Sequence, residues 1–185
     1  KSCLTTSIDE LLTDDIDCLV EVAGGSSGVV KDAVFKALKL GKTVVTANKA
    51  LLAEQMKDIQ EILQKIESSR IGYEAAVCGG IPIIHTLSTC YTGDQITNVA
   101  GICNGTTNYM LTAMANDSSV SYDAILKEAQ ALGYAEADPT ADVEGHDVRA
   151  KIAILAQLAY KCQSLNVESI PCTGISSITS TDFSI

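Results

Sequence analysis

The sequence predicts an α/β protein, and three observations carry that prediction. Two short β-branched runs alternate with helical patterns in the first third of the chain, which is the order of a βαβ unit with parallel strands and a right-handed crossover. After Cys78 the pattern changes to successive helical segments, which indicates a second domain of α+β type. Apolar residues make up 46% and charged residues 19% of the 185 positions, which is typical of a globular protein with a buried core.

The first domain is predicted to span residues 1–75 and to form part of a parallel sheet. Its elements are a strand over 17–22, a helix over 27–40, a strand over 43–46, a helix over 50–66 and a strand over 71–76. The first helix has apolar residues at helical spacing, with Ser26 as its predicted N-cap and Gly41 as its stop.

The second domain is predicted to span residues 76–185. Its elements are a helix over 82–90, a strand over 95–102, helices over 106–115, 122–132 and 147–162, and a loop with a short element over 173–185. Pro82 suits a first helical turn, and Gly133 suits a C-terminal stop. The strand is inferred from the alternation of apolar and polar residues, which is typical of an antiparallel or mixed sheet.

Charge and cysteine content bear on the partners and the compartment of the protein. The formal net charge of −10 argues against nucleic acid, which requires clustered lysine and arginine. The longest uncharged apolar run, residues 152–160, is too short to cross a bilayer, so no membrane partner is expected. Seven cysteines without a CxxC pair argue against zinc and disulfide frameworks and indicate a reducing, cytoplasmic compartment. A dinucleotide is still compatible with this charge, because helix N-termini hold phosphate without net positive charge.

The most informative segment is GYAEADPTADVEGHDVRAK, residues 133–151. It concentrates five carboxylates in one loop and helix start: Glu136, Asp138, Asp142, Glu144 and Asp147. Lys151 follows Asp147 by four residues, so both side chains project from one helix face, and the apolar run behind Lys151 should partly desolvate its ammonium. The segment is therefore either a functional site or a solvated acidic loop with a local ion pair.

Two further features fall at the carboxyl ends of the predicted parallel strands, where open α/β sheets bind ligands. One is EVAGG, residues 21–25, whose Gly24 and Gly25 let a ligand approach the backbone. The other is TANK, residues 46–49, which puts Lys49 at the tip of the second strand. An exposed lysine at a helix start fits the position of Lys49 equally well. No G-x-G-x-x-G occurs in the sequence, so the usual pyrophosphate turn is missing.

Two other segments suit small ligands. GICNGTTNY, residues 101–109, runs from the predicted strand into a helix start whose amides and hydroxyls can hold a carboxylate or a phosphate. A simple N-cap gives the same pattern. EAAVCGGIP, residues 74–82, follows a glutamate with a glycine turn that can gather carbonyl oxygens around a cation, and a plain loop is the alternative.

Four motifs in this order and spacing resemble the homoserine dehydrogenase family: TVVTANKALLA (43–53), YEAAVCGGIPII (73–84), GICNGTTNYML (101–111) and LGYAEADPTADVEGHDVRAK (132–151). GISSITSTDF (174–183) resembles the GI-x-x-I segment of the same family. The resemblance implies a partial Rossmann domain followed by an α+β catalytic and dimerisation domain. The family also has a glycine-rich dinucleotide turn before this region and a cofactor-closing segment after it, so the resemblance implies the middle of the enzyme.

The resemblance implies reversible hydride transfer between L-homoserine with NAD(P)+ and L-aspartate 4-semialdehyde with NAD(P)H, in threonine and methionine biosynthesis. It implies Lys151 as the general acid/base, Lys49 as a second site lysine near the nicotinamide and the substrate, and Asp142 as the group that orients Lys151. The substrate-binding residues that it implies are Glu136, Asp147, Thr106, Thr107 and Tyr134. The cofactor-binding residues that it implies are Lys49, Gly133, Gly24 and Gly25.

The resemblance also implies NADP or NAD as cofactor, a homodimer, and a sodium ion held by Glu74 and the carbonyl oxygens of Val77, Gly79 and Ile81. A related oxidoreductase of another small amino acid and a non-catalytic folding or dimerisation fragment are the alternatives. The choice between NAD and NADP depends on a residue upstream of this region. Fusion to an aspartate kinase or to a regulatory domain is left open, and a plant source would make the plastid the compartment.

Overall fold

Three parallel strands and eight α-helices make up the regular structure of the computed structural model, which describes residues 4–162 and 165–183. The strands are β1 Cys18–Glu21, β2 Thr43–Thr46 and β3 Arg70–Gly72. The helices are α1 Ile8–Leu11, α2 Gly28–Lys39, α3 Lys49–Lys65, α4 Ile83–His85, α5 Gly105–Asn116, α6 Tyr122–Ala131, α7 Thr140–Val143 and α8 His146–Ala159. A π-helical turn, Thr86–Cys90, continues α4, and 3-10 turns cover Glu74–Ala76, Val167–Ser169 and Ser180–Phe183.

The sheet has the order β1-β2-β3, and α2 and α3 form its crossovers. β1 and β2 are in register with Leu19 opposite Val44, and β2 and β3 with Val44 opposite Ile71. Leu19 and Val44 are buried on one face, on the side of α2, which packs against both strands and against α3. Parallel strands joined by helical crossovers confirm the predicted α/β class.

The opposite face of the sheet is open. Val20 on β1 is 64% exposed and Val45 on β2 is 41% exposed. Parallel sheets are ordinarily covered by helices on both faces, because their strands are apolar on both sides. The two valines therefore form an exposed apolar strip on this face.

The chain divides into two compact units, one formed by residues 1–99 with 153–167 and the other by residues 100–152 with 168–185. The core of the first unit includes side chains of α2 and α3, among them Val34, Leu38, Leu52 and Ile59. The core of the second unit is built from α5, α6, the loop that follows and α7: Met110, Met114, Ile125, Ala129, Ala135 and Val143. The domain limits 1–75 and 76–185 stay a prediction.

Most predicted elements are confirmed within a few residues, and three details are wrong. The third strand ends at Gly72, because Glu74–Ala76 forms a 3-10 turn instead of extending the strand. The N-cap of α2 is Ser27, not Ser26, and its side chain makes no capping bond. The predicted strand over 95–102 does not form, since no strand among the described residues pairs with that segment, and Ile102 is 79% exposed. None of the described helices is long and apolar enough to cross a membrane.

Candidate functional site

Lys151 and Asp147 form an ion pair along one face of α8. The Nζ atom of Lys151 lies 2.6 Å from Oδ2 of Asp147, four residues earlier. The side chains of the two residues are 15% and 7% exposed, so this charged pair is largely shielded from water. The same ammonium donates to the carbonyl oxygen of Cys103 at 2.8 Å. Two of its three protons therefore have acceptors, and the third can point toward a bound molecule.

Asn104 links this ion pair to the second carboxylate of the loop. Its side-chain amide donates to Asp147 Oδ2 at 3.0 Å and to Asp142 Oδ1 at 2.7 Å. Its side-chain carbonyl accepts from the amide and hydroxyl of Thr107 at 2.9 and 3.0 Å, which makes Asn104 the N-cap of α5. Asn104 is 7% exposed. Asp142 thus reaches Lys151 through Asn104 and Asp147 rather than directly.

Thr106 holds the other side of Asp142. Its hydroxyl lies 2.5 Å from the carbonyl oxygen of Tyr134 and 3.1 Å from Oδ2 of Asp142, with one proton to give to either. The backbone of Tyr134 follows the C-terminal turn of α6, where Gly133 adopts φ +78°. Thr106, at the start of α5, therefore contacts both the backbone of Tyr134 and the side chain of Asp142.

The five carboxylates of the acidic segment differ in how they are used. Asp142 and Asp147 belong to the network around Asn104. Hydrogen bonds from the hydroxyl and amide of Thr140 hold the pKa of the Asp138 carboxyl below its ordinary value. The Glu136 side chain is exposed and has no hydrogen-bond or ion-pair partner among residues 4–162 and 165–183. Glu136 is therefore an exposed carboxylate of this segment that can accept a cationic ligand without losing an existing hydrogen bond.

In the first unit, Gly24, Gly25 and Lys49 lie at the carboxyl ends of β1 and β2, as predicted from their order in the sequence. Gly24 and Gly25 adopt φ +81° and +90°, a conformation that favours glycine, and among the described residues no atom beyond the adjoining ones in the chain lies within 4 Å of where either Cβ would be. Lys49 is the first residue of α3, directly after its N-cap Asn48. The loop after β1 thus offers open backbone at the edge where parallel sheets bind ligands.

Glu74 and the turn after it fit a hard monovalent cation in donor type. The two carboxylate oxygens of Glu74 accept from the amides of Ile84 and His85 at 2.9 and 2.8 Å, so this residue also caps α4. Cys78 and Gly80 adopt φ +51° and +84°, which turns the backbone sharply between Val77 and Ile81. Carboxylate and carbonyl oxygens are the donor type that hard cations prefer. Among the described residues, His, Cys, Asp and Glu side chains form no cluster suited to a metal held by three or more of them.

A cavity of about 290 Å³ in the second unit borders the polar network without being lined by Lys151. Its lining includes Thr107 and Asp142, the α8 residues Val148, Arg149 and Ile152, and residues of the segment 170–175. Neither Lys151 nor Glu136 lines it. The cavity therefore meets the candidate site at Thr107 and Asp142, and Lys151 lies outside its lining.

The structure places the side chain of Asn104 in the site, a role that was not predicted from the sequence. The sequence predicts either a helix start whose amides hold a ligand or a simple N-cap, and the cap is present, because the Thr107 amide donates to Asn104. Asn104 stands 38 and 43 residues from its two carboxylate partners, so no local spacing signals the contact. The one available signal was an asparagine directly before a helix start, which is a good N-cap with two spare amide protons.

Comparison with known proteins gives the family. The family model described as "Homoserine dehydrogenase, NAD binding domain" matches residues 1–74, and the model described as "Homoserine dehydrogenase" matches residues 82–185. The chain belongs to the homoserine dehydrogenase family. The matched NAD-binding domain, together with the three parallel strands, confirms the predicted partial Rossmann fold.

Individual relatives agree with this assignment. A homoserine dehydrogenase of Mycobacterium leprae (strain TN) is 48% identical over 183 residues, which are 97% of this chain and 40% of that relative. The crystal structure of a homoserine dehydrogenase from Thiobacillus denitrificans has a TM-score of 0.89 at 41% identity, and covers 96% of this chain and 41% of that one. A hyperthermophilic archaeal homoserine dehydrogenase in complex with NADPH has a TM-score of 0.76 at 27% identity, and covers 89% of this chain and 49% of that one. The chain therefore spans about 40% of the length of the curated relative from M. leprae.

Proposed function

We propose that this chain supplies the substrate-binding and proton-transfer residues of an NAD(P)-dependent homoserine dehydrogenase. The reaction is the reversible oxidation of L-homoserine to L-aspartate 4-semialdehyde, in the biosynthesis of threonine and methionine. The observation that carries the proposal is the shielded Lys151–Asp147 pair, one ammonium proton of which has no acceptor in the network described above. Membership of the family and the NAD-binding domain match support the same reaction.

The proposed chemical role of Lys151 is to exchange a proton with the substrate oxygen. In the oxidation direction a neutral Lys151 amine takes the proton of the homoserine hydroxyl, and in the reduction direction the ammonium returns it to the aldehyde oxygen. The nicotinamide cofactor, when bound, supplies the hydride acceptor or donor. The Cys103 carbonyl and Asp147 fix the position of the Lys151 nitrogen, and Asp142 fixes Asp147 through the Asn104 amide. These contacts pre-organise the group that moves the proton.

The proposed substrate site combines anionic and neutral donors that suit an amino acid. Glu136 and Asp147 are assigned to the homoserine ammonium, because a carboxylate is the strongest acceptor for a cationic N–H donor. Thr106, Thr107 and Tyr134 are assigned to the other end of the molecule, near the start of α5, where the helix terminus favours the substrate carboxylate. The Thr107 amide and hydroxyl both donate to Asn104 in this structure, so this assignment requires the Thr107 hydroxyl to turn toward the substrate when it binds.

The proposed cofactor site lies at Gly24, Gly25, Lys49 and Gly133. The open backbone at the two glycines fits a flat ring that approaches closely, and a relative of the same family is solved in complex with NADPH. Gly133 likewise has open space where its Cβ would be, as far as the described part of the chain outside its own neighbours is concerned. Either NADP or NAD suits these residues, because none of them reads the ribose 2′ position.

Further expectations accompany the assignment as parts of the same proposal. Glu74 with the carbonyl oxygens of Val77, Gly79 and Ile81 would hold a sodium ion, whose role would be to fix the geometry of this turn. The enzyme is expected to be a cytoplasmic homodimer, with residues 1–75 as the dinucleotide-binding part and 76–185 as the catalytic and dimerisation part.

The test is an assay of the full-length protein that carries this sequence. Purified enzyme should reduce NAD(P)+ only when L-homoserine is added, and should oxidise NAD(P)H only when L-aspartate 4-semialdehyde is added. L-Serine, which is one methylene shorter, is the matched control substrate. Equal turnover of another small amino acid would instead favour a related oxidoreductase, and binding without turnover of any would favour a folding or dimerisation role.

A further inference from the structure

A buried carboxylate lies directly beneath the glycine loop of the first unit. Glu21 ends β1 and is 7% exposed. One of its oxygens, Oε1, accepts from the amides of Ala23 and Gly24 at 2.8 and 2.9 Å. The other, Oε2, accepts from the hydroxyl of Thr46 at 2.6 Å. Three donors on one carboxylate satisfy a charge that would otherwise be costly to bury.

The balance of these contacts keeps Glu21 ionised. Burial raises the pKa of its carboxyl, and hydrogen bonds from Thr46, Gly24 and Ala23 together outweigh burial, so the net pKa lies below the ordinary value. An apolar side chain could fill this position at the end of a buried strand without any such compensation. Packing alone therefore does not explain a charged residue at this position.

Thr46 and Asn48 extend the network from the glycine loop to the start of α3. The Thr46 hydroxyl, which is donated to Glu21, accepts from the amide of Asn48 at 3.0 Å. The Asn48 side-chain amide donates to the carbonyl oxygen of Gly25 at 2.7 Å, and its side-chain oxygen caps α3 by accepting from Leu51 at 3.0 Å. Thr46 and Asn48 are 1% and 5% exposed.

These hydrogen bonds form a rigid connection between the Gly24–Gly25 loop and the start of α3, at the same edge of the sheet. Glu21 holds the first half of the loop by the amides of Ala23 and Gly24, and Asn48 holds the second half by the Gly25 carbonyl. Gly24 and Gly25 adopt positive φ angles. Glycine is the least restricted residue, so without these hydrogen bonds the loop could adopt many other conformations. Lys49 follows Asn48 directly, so the same hydrogen bonds also fix the turn from which Lys49 projects.

We propose that Glu21, Thr46 and Asn48 are positioning residues for the nicotinamide cofactor, which act by holding the Gly24–Gly25 loop and the start of α3 in the binding conformation. This inference rests on the proposed function, in which that loop and Lys49 contact the cofactor. All three side chains are too buried to be primary contacts themselves. Their effect on the cofactor therefore passes through the backbone of the loop and the helix start.

The test compares NADPH binding by isosteric variants of the full-length enzyme. Thr46→Val removes the hydroxyl with little change in shape, and Thr46→Ser restores it. Asn48→Ser keeps a helix-capping oxygen but cannot reach the Gly25 carbonyl. We expect Thr46→Val and Asn48→Ser each to weaken NADPH binding about three- to tenfold, the effect of losing one or two hydrogen bonds, while Thr46→Ser binds nearly as the wild type does.

Two controls separate positioning from a general loss of stability. Val34→Ala removes a side chain that is 0% exposed on α2 of the same unit, and should lower the melting temperature without changing the NADPH dissociation constant. The KM for the amino-acid substrate should change less than the NADPH dissociation constant in all variants, because Glu136 and Lys151 lie outside this network.

The inference is overturned if Thr46→Val and Asn48→Ser bind NADPH as tightly as the wild type, or if Val34→Ala weakens binding as much as they do at an equal loss of stability. If Thr46→Val does not fold, Asn48→Ser decides, because its cap is preserved. If the wild type turns over homoserine and the variants bind NADPH as tightly as it does, this inference alone is overturned. A wild type that does not bind NADPH overturns the proposed function as well.

Discussion

Lys151 Nζ lies 2.6 Å from Asp147 Oδ2, one helical turn away on α8, and both side chains are largely withdrawn from water. Lys65 and Glu61 on α3 have the same four-residue separation, but their charged atoms are 3.7 Å apart and their side chains are 75% and 52% exposed. The two pairs have nearly the same chemistry and very different surroundings. An exposed pair of this kind contributes little, whereas a shielded pair holds its lysine in one place.

Replacement of Lys151 gives the first prediction. Lys151→Ala in the full-length enzyme should lower kcat by about 10²- to 10⁴-fold, which is the usual contribution of a general acid/base. Steady-state rates with homoserine and NAD(P)+ measure the loss, and circular dichroism checks that the fold is retained. Lys65→Ala is the matched control and should leave kcat unchanged. A kcat of Lys151→Ala near that of the wild type would remove Lys151 from its proposed role.

Asn104 allows its two roles to be tested separately. Asn104→Ser keeps a helix-capping oxygen and removes the amide that joins Asp142 to Asp147, whereas Asn104→Ala removes both. We expect both variants to lower kcat about ten- to hundredfold, because Lys151 is then held less well. Urea unfolding should show a loss of about 1 kcal/mol for Asn104→Ala and less for Asn104→Ser. Equal kcat for Asn104→Ser and the wild type would leave Asn104 as a cap only.

The contrast between Lys151 and Asn104 shows how far the sequence could predict this site. The Lys151–Asp147 contact follows from helical periodicity, so four-residue spacing was enough to predict it. Short parallel strands were similarly evident: residues 43–46 are a β-branched run, and β2 has those bounds. The position of Asn104 between two carboxylates depends on how the start of α5 meets α7 and the first turn of α8, which is tertiary information that no local pattern contains.

The wrong strand over residues 95–102 has a related cause. Alternation of apolar and polar residues describes a segment that could lie on a sheet, but a strand exists only where a neighbour supplies hydrogen-bond partners.

The burial of Glu21 is likewise not predictable from the sequence, since its three donors come from the loop after it and from the next strand. Glutamate at the end of a strand is ordinarily read as exposed.

Glu136 should govern affinity for the amino-acid substrate. Glu136→Gln keeps the shape and removes the charge, so the homoserine ammonium would lose a charge-assisted hydrogen bond. We expect KM for homoserine to rise about ten- to hundredfold with a smaller change in kcat. Asp138→Asn in the same loop is the control, because Thr140 already occupies that carboxylate, and its KM should stay close to the wild-type value. An unchanged KM for Glu136→Gln would assign the ammonium to another partner.

The lowered pKa of Glu21 predicts how stability depends on pH. A carboxyl whose pKa is lower in the folded than in the unfolded state stabilises the fold fully above the unfolded value, here near 4.5, and this contribution is lost as pH falls through the folded value. The wild type should therefore be more stable than Glu21→Gln at neutral pH, and the difference should shrink below pH 4.5. Urea unfolding of both proteins at several pH values measures it. A difference that is constant, or that grows on acidification, would contradict the ionised, hydrogen-bonded state of Glu21.

The open face of the sheet predicts self-association of the 185-residue chain when it is prepared alone. Val20 is 64% and Val45 is 41% exposed on adjacent parallel strands, and β1 lies at the edge of the sheet, where unpaired backbone groups can bind another strand. Val20→Lys places a charge in the middle of this strip and should shift the chain toward monomer in sedimentation velocity, because burying an unpaired ammonium between two copies is unfavourable. Val29→Lys is the matched control: Val29 is 69% exposed but lies on α2, so this variant should associate as the wild type does. If both variants reduce association equally, net charge is the cause and the sheet face is not the contact surface.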